Sequence, residues 1–98
     1  MNEMTVGNED TRRAEALRQI KEKNNHRARW AVAALETFAR STGLDLEEDG
    51  KETAIMDLLA DLMHLSDIEG MNFDVLIERA RGHYINEVVG QAERLAEI

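Results

Sequence analysis

The chain has no cysteine and no proline, and of its 98 residues only Trp30, Phe38, Phe73 and Tyr84 are aromatic. Without cysteine there is no disulfide framework, no thiolate metal site and no thiol nucleophile. Without proline, helix interiors lack their strongest breaker. No stretch approaches the ~20 consecutive apolar residues of a membrane span, and the opening MNEMTVGNED lacks the apolar centre of a secretory signal. These absences point to a cytoplasmic protein with no membrane segment.

What is present is 43% hydrophobic residues, 33% charged residues and a formal charge of −8. A chain this short buries roughly 60 to 65% of its unfolded surface, so one helical domain spanning residues 1–98 is expected, with a modest core that association would help. The charge is unevenly laid out. Residues 1–10 carry three acids and no bases; residues 11–40 carry eight bases against three acids; residues 41–98 carry four bases against fourteen acids. Such asymmetry suits either self-complementation or two faces of opposite sign offered to partners.

Helical spacing organises the chain. EDTRRAEALRQIKEKNN places Ala14, Leu17 and Ile20 on one thin stripe behind Thr11, an N-cap candidate, and leaves residues 1–10 expected to be disordered. HRARWAVAALETFARSTG puts Ala31, Leu35 and Phe38 on a thicker stripe, with Trp30 and Ala34 beside it, and ends at Gly43. Asn24 and Asn25 oppose a helix only weakly, so 11–41 reads as one helix or two. After the acidic connector GLDLEEDG, a helix should run from about Glu52 to Glu69 and stop at Gly70. Asn72 or Asp74 then caps a last helix, FDVLIERARGHYINEVVGQAERLAEI, in which Gly82 and Gly90 mark either a close helix approach or a kink. No alternating strand pattern and no internal repeat occurs. The expected fold is all-α: a compact bundle of three to four helices, dimeric.

Within IMDLLADLMHLSDIEGMNFD, Ile55, Met56, Leu58, Leu59, Leu62, Met63 and Leu65 spread over about half the helix circumference. Asp57, Asp61 and His64 fall opposite them, with Asp67 alongside. Four polar residues on one stripe read as a solvated face ahead of a metal site. Half a circumference of apolar surface is more than one neighbouring helix covers, so this helix is either the centre of the bundle or part of a dimer interface. Leu35, Phe38, Leu59, Leu62, Leu65 and Leu76 are the expected core, where Leu62→Ala would cost roughly 2 to 5 kcal/mol if buried. Trp30, Met56 and Met63 are the expected self-association surface.

LADLMHLSDIEGMNFDVLIERARGHYINE, about a third of the chain, resembles the second half of the all-helical MazG-type nucleotide pyrophosphohydrolases. There an acidic helix passes through a short turn into a charged helix, and Glu-x-x-Glu followed by Glu-x-x-Asp holds magnesium. That resemblance implies Glu36, Asp57 and Asp61 as metal ligands. In this sequence Leu58 stands three residues before Asp61, Asp57 is one position off the pattern, and Glu36 has no Glu-x-x-Glu partner.

Other catalytic patterns are missing: there is no glycine-rich phosphate cradle and no Gly-x-Ser-x-Gly elbow, and His26, His64 and His83 lie on separate segments. RRAEALRQIKEKNNHRARW carries eight Arg, Lys or His in nineteen residues, and residues 12–29 are the alternative basis for a nucleic-acid-binding accessory protein. Glu15 and Glu22 interrupt that patch, and the net charge opposes polyanions, so direct nucleic-acid contact is not expected.

In size, acidity and helicity, and in the run LLADLMHLSDIEGMNFD followed by ERARGHY, the chain resembles small proteins of phages and mobile elements, anti-CRISPR proteins among them. The resemblance implies a non-catalytic inhibitor without cofactor or metal, acting in an infected or element-carrying bacterial cell on a CRISPR surveillance or effector complex. Asp45, Glu47, Glu48, Asp49, Asp57, Asp61 and Asp67 would serve as the partner-binding acids, imitating a phosphate backbone.

Overall fold

The computed structural model describes the backbone of residues 2–90 and the side chains of residues 9–89. Three α-helices follow one another: α1 (Asn2–Thr42), α2 (Lys51–Glu69) and α3 (Phe73–Ile85), the last running into a π-helical turn at Asn86–Gly90. The described residues contain no strand, so the fold is all-α. No helix among them is long and apolar enough to cross a membrane.

The two readings of residues 11–41 resolve into a single helix, and the physical reason lies in Asn24. Asparagine disfavours helices because its side chain competes for the backbone. Here Asn24 Oδ1 accepts from Arg27 Nη1 at 2.8 Å, and Asn24 Nδ2 donates to the Glu87 carbonyl at 3.5 Å. The amide is thus engaged by a side chain and a distant carbonyl, and not by the backbone of its own helix. The start also differs from the sequence reading: α1 begins at Asn2, ahead of the Thr11 cap. Between Asn2 and Thr11 only Gly7 opposes a helix strongly.

The glycine stops fall where spacing places them. Gly43 has φ of +77° and Gly70 φ of +70°, the left-handed conformation that side chains resist. After each glycine the next amide reaches back across the last turn, Leu44 N–H to the Ala39 carbonyl at 3.0 Å and Met71 N–H to the Ser66 carbonyl at 2.8 Å, the six-to-one bond of a Schellman cap. Of the two proposed caps for the next helix, Asn72 is the one used, its Oδ1 accepting from Val75 N–H at 3.3 Å.

The last helix is shorter than the pattern suggested, giving way at Asn86 to the π-helical turn; residues 91–98 lie outside the described residues. Gly82 is not a site of close approach, because a Cβ built there meets nothing within 4 Å. Gly82→Ala should therefore raise stability by about 0.5 to 1 kcal/mol, as removal of an unneeded helical glycine does. Thermal denaturation followed by circular dichroism would read the gain, and a loss would show that the position is crowded.

The described residues divide into two compact units: one holds those up to Arg27 and those from Ala80 onward, the other Ala28–Arg79. In the first, α1 and the segment after Ala80 are joined by polar links. Arg27 Nε meets the Glu87 carboxylate at 2.5 Å beside the Asn24 bond, and both charged side chains are part-exposed. In the second unit, Leu35, Ala39 and Ala54 are the buried apolar residues among those described, with Val32 and Phe38 half-buried. The inward stripe of α1 is thus centred on Leu35 and Ala39, not on Ala31, which is exposed.

The remaining core expectations are corrected: Leu59, Leu62, Leu65 and Leu76 are exposed, Leu62 to 39%. Two of the three buried apolar side chains among the described residues are alanines, Ala39 on α1 and Ala54 on α2. Ala54 is fully buried near its start and Ser66 near its end, the Ser66 hydroxyl donating to the Leu62 carbonyl at 2.8 Å. Ile55, Met56, Leu59, Leu62, Met63 and Leu65 between them are exposed, and Leu62→Ala falls below the cost of a buried leucine.

Candidate functional site

Asp57, Asp61, His64 and Asp67 are all exposed. At 100° per residue, Asp57, His64 and Asp67 lie on the side of α2 opposite Ile55 and Leu62, with Asp61 at the edge of that side. None of the three aspartates pairs with a cation among the described residues, whose ion pairs are Glu15 with Arg18 and Arg27 with Glu87. No group of three His, Asp or Glu side chains among those residues is placed to hold a metal ion, so Glu36, Asp57 and Asp61 are not drawn around a common point. Glu36 instead lies on α1, at the rim of an open depression with Arg40, Leu44, Leu46 and Glu47.

The connector acids divide into two kinds, a division the sequence reading missed. Asp45 Oδ1 accepts from Glu47 N–H at 2.8 Å and Glu48 N–H at 3.1 Å. Asp49 Oδ2 accepts from Asp45 N–H at 2.9 Å, while Asp49 N–H donates to the Asp45 carbonyl at 2.8 Å. Two aspartates four apart thus close the turn reciprocally and fold the connector, whereas the Glu47 and Glu48 side chains stand exposed with no such bond. The signal was present as an Asp placed two and three residues ahead of polar turn amides, the spacing of an Asx turn.

The expected self-association residues are accessible, but they do not share a surface by register. Met56 and Met63 lie together on α2, exposed to 56% and 48%. Trp30 is 70% exposed on α1, turned about 140° from Leu35 and so away from the buried stripe.

The basic segment offers no single face. Arg12, Arg13, Arg18, Lys21, Lys23, Arg27 and Arg29 are spaced around the whole circumference of α1 at 100° per residue. Arg27 is committed to Glu87 and Arg18 to Glu15. The hydrogen bond from Arg18 holds the Glu15 carboxyl below the usual carboxylate range. Being exposed, that pair lends α1 a small stabilisation, present at neutral pH and lost as pH falls through the depressed value.

His83 and Tyr84 are both exposed, and no acid or base among the described residues is buried. The geometry thus defines an all-α protein whose most distinctive surfaces are the two sides of α2, one acidic and one apolar. No protein-family model, curated protein or solved structure matches the chain.

Proposed function

We propose that this is a non-catalytic interaction protein that docks the acidic side of α2 on the basic surface of a nucleic-acid-handling complex. The observation that carries the reading is the exposed set Asp57, Asp61 and Asp67, which pairs with no cation among the described residues, with Glu47 and Glu48 also available beyond the connector turn. From Asp57 to Asp67 the helix rises about 15 Å, so three carboxylates give roughly one charge per 5 to 7 Å. A nucleic-acid strand carries one per ~3.4 Å. The helix therefore imitates the sign and linearity of a phosphate backbone at about half its density, enough to occupy a basic groove without matching each phosphate site.

Asp45 and Asp49 drop from the set of docking acids, since their carboxylates already accept the connector's amides. The resemblance to small phage and mobile-element proteins supplies the class of complex to try first, a CRISPR surveillance or effector assembly. Purified protein titrated into such a complex should reduce target-DNA binding stoichiometrically, and its own binding should weaken steeply between low and physiological salt, as exposed charge contacts do beyond a Debye length of about 8 Å. Salt-independent binding would remove the acidic mechanism, and no binding to any such complex would remove the class.

A further inference from the structure

Ala54 and Ser66, the two buried residues of α2, mark the side of the helix that the chain covers for itself. At 100° per residue Met63 stands about 180° round from Ala54 and about 60° from Ser66, and Met56 about 160° and 80°. The two methionines thus belong to a separate strip. Glu52, Met56, Leu59, Met63 and Asp67 follow one another at steps of four, three, four and four, all within an arc of about 80°. All five are exposed, Met56 to 56%, Leu59 to 38% and Met63 to 48%.

The strip is as narrow as the seam one neighbouring helix covers, and it runs about 22 Å from Glu52 to Asp67. Its middle is apolar and each end is an acid. Neither acid pairs with a cation among the described residues. Lys51, the only lysine or arginine of α2, lies about 120° round from Met63.

That charge pattern selects the occupant. A second copy laid antiparallel along the strip sets Glu52 against Asp67 at both ends, and one laid parallel sets each acid against itself, so like charges oppose either pairing. Nucleic acid and an anionic lipid surface are repelled by the same acids and by the formal charge of −8. A helix with an apolar row and a lysine or arginine at each end of it answers both features, and the unbranched methionines adapt to the shape of that row. We infer that this strip of α2 is the docking site for a basic amphipathic helix of a partner protein. Asp57 and Asp61 lie about 120° and 160° round from Met63, so the strip stands whether or not the acidic side docks on a nucleic-acid-handling complex.

Fluorescence anisotropy of labelled synthetic peptides titrated with the full chain tests this. The first peptide, of about 20 residues, carries a leucine row at helical spacing closed by lysines; the second scrambles that sequence, and the third replaces the lysines with glutamates. The first should bind about 10-fold or more tighter than either of the others, gaining helicity by circular dichroism as it does so. Met56→Gln and Met63→Gln should each weaken it about 10-fold, and Ile68→Gln, 81% exposed and about 140° round from Met63, should leave it unchanged. Glu52 is outside the acids assigned to the other side, and Glu52→Gln should weaken binding about 3-fold at low salt with the difference fading at high salt. No binding of the first peptide would overturn the site, and equal binding of the scrambled peptide would reduce it to diffuse charge attraction. Equal binding of the glutamate peptide would remove the basic partner. Sedimentation showing a wild-type oligomer that Met63→Gln dissolves would give the strip to a second copy instead. Because the peptide series leaves the protein untouched, it decides even where a methionine variant disturbs the helix.

Discussion

Leu35→Ala is expected to cost the Ala28–Arg79 unit roughly 2 to 4 kcal/mol, a large part of the ~5 to 15 kcal/mol that holds an ordinary domain together. Leu35 is the one large apolar side chain buried among the described residues, and its buried companions are Ala39 and Ala54. Alanines have no side-chain freedom with which to swing into a vacated space, so the cavity stays open and the cost sits well above the bare transfer term. Urea denaturation should show the midpoint falling with the slope unchanged. Leu62→Ala supplies the contrast: with Leu62 39% exposed, it should cost clearly less in dilute solution. Equal costs for the two in dilute solution would contradict the burial described above.

The second large effect is functional. Reversing Asp57 and Asp61 together to lysine should weaken docking on the basic partner by on the order of 100-fold while leaving the fold intact. Both carboxylates are exposed and pair with no cation among the described residues, so their replacement removes no internal contact, and surface changes of this kind stay within about 0.5 kcal/mol of stability. At a basic surface, two attractions become two repulsions. Asp45→Asn is the control in the opposite direction: it disturbs the connector, whose Glu47 and Glu48 amides the Asp45 carboxylate accepts, and should lower stability without abolishing docking. A folded double reversal that inhibits at full strength would remove the site from α2.

These two variants probe different kinds of information. The helical period, the glycine stops at Gly43 and Gly70, a cap at either Asn72 or Asp74, and the acidic stripe of α2 all depend on residues within a turn or two of each other, and are legible from spacing. So is the expectation that α2 has more apolar surface than one neighbour covers. The reciprocal Asp45 and Asp49 turn was equally local, but an Asx turn and an exposed acid look alike until the backbone amides are placed.

What the sequence by itself determined was therefore the class of fold, the ends of α2 and the side of α2 that meets water, because each follows from a 3.6-residue period acting over short distances. The tertiary structure alone decided that α1 is continuous through Asn24, whose side chain finds a carbonyl 63 residues away at Glu87. It also decided that Leu35, Ala39 and Ala54 are buried while Leu59, Leu62 and Leu65 are not. Periodicity names the apolar face of a helix, but which part of that face is covered depends on where the other helices cross it. Those crossings are set by long-range contacts that no local window of sequence contains.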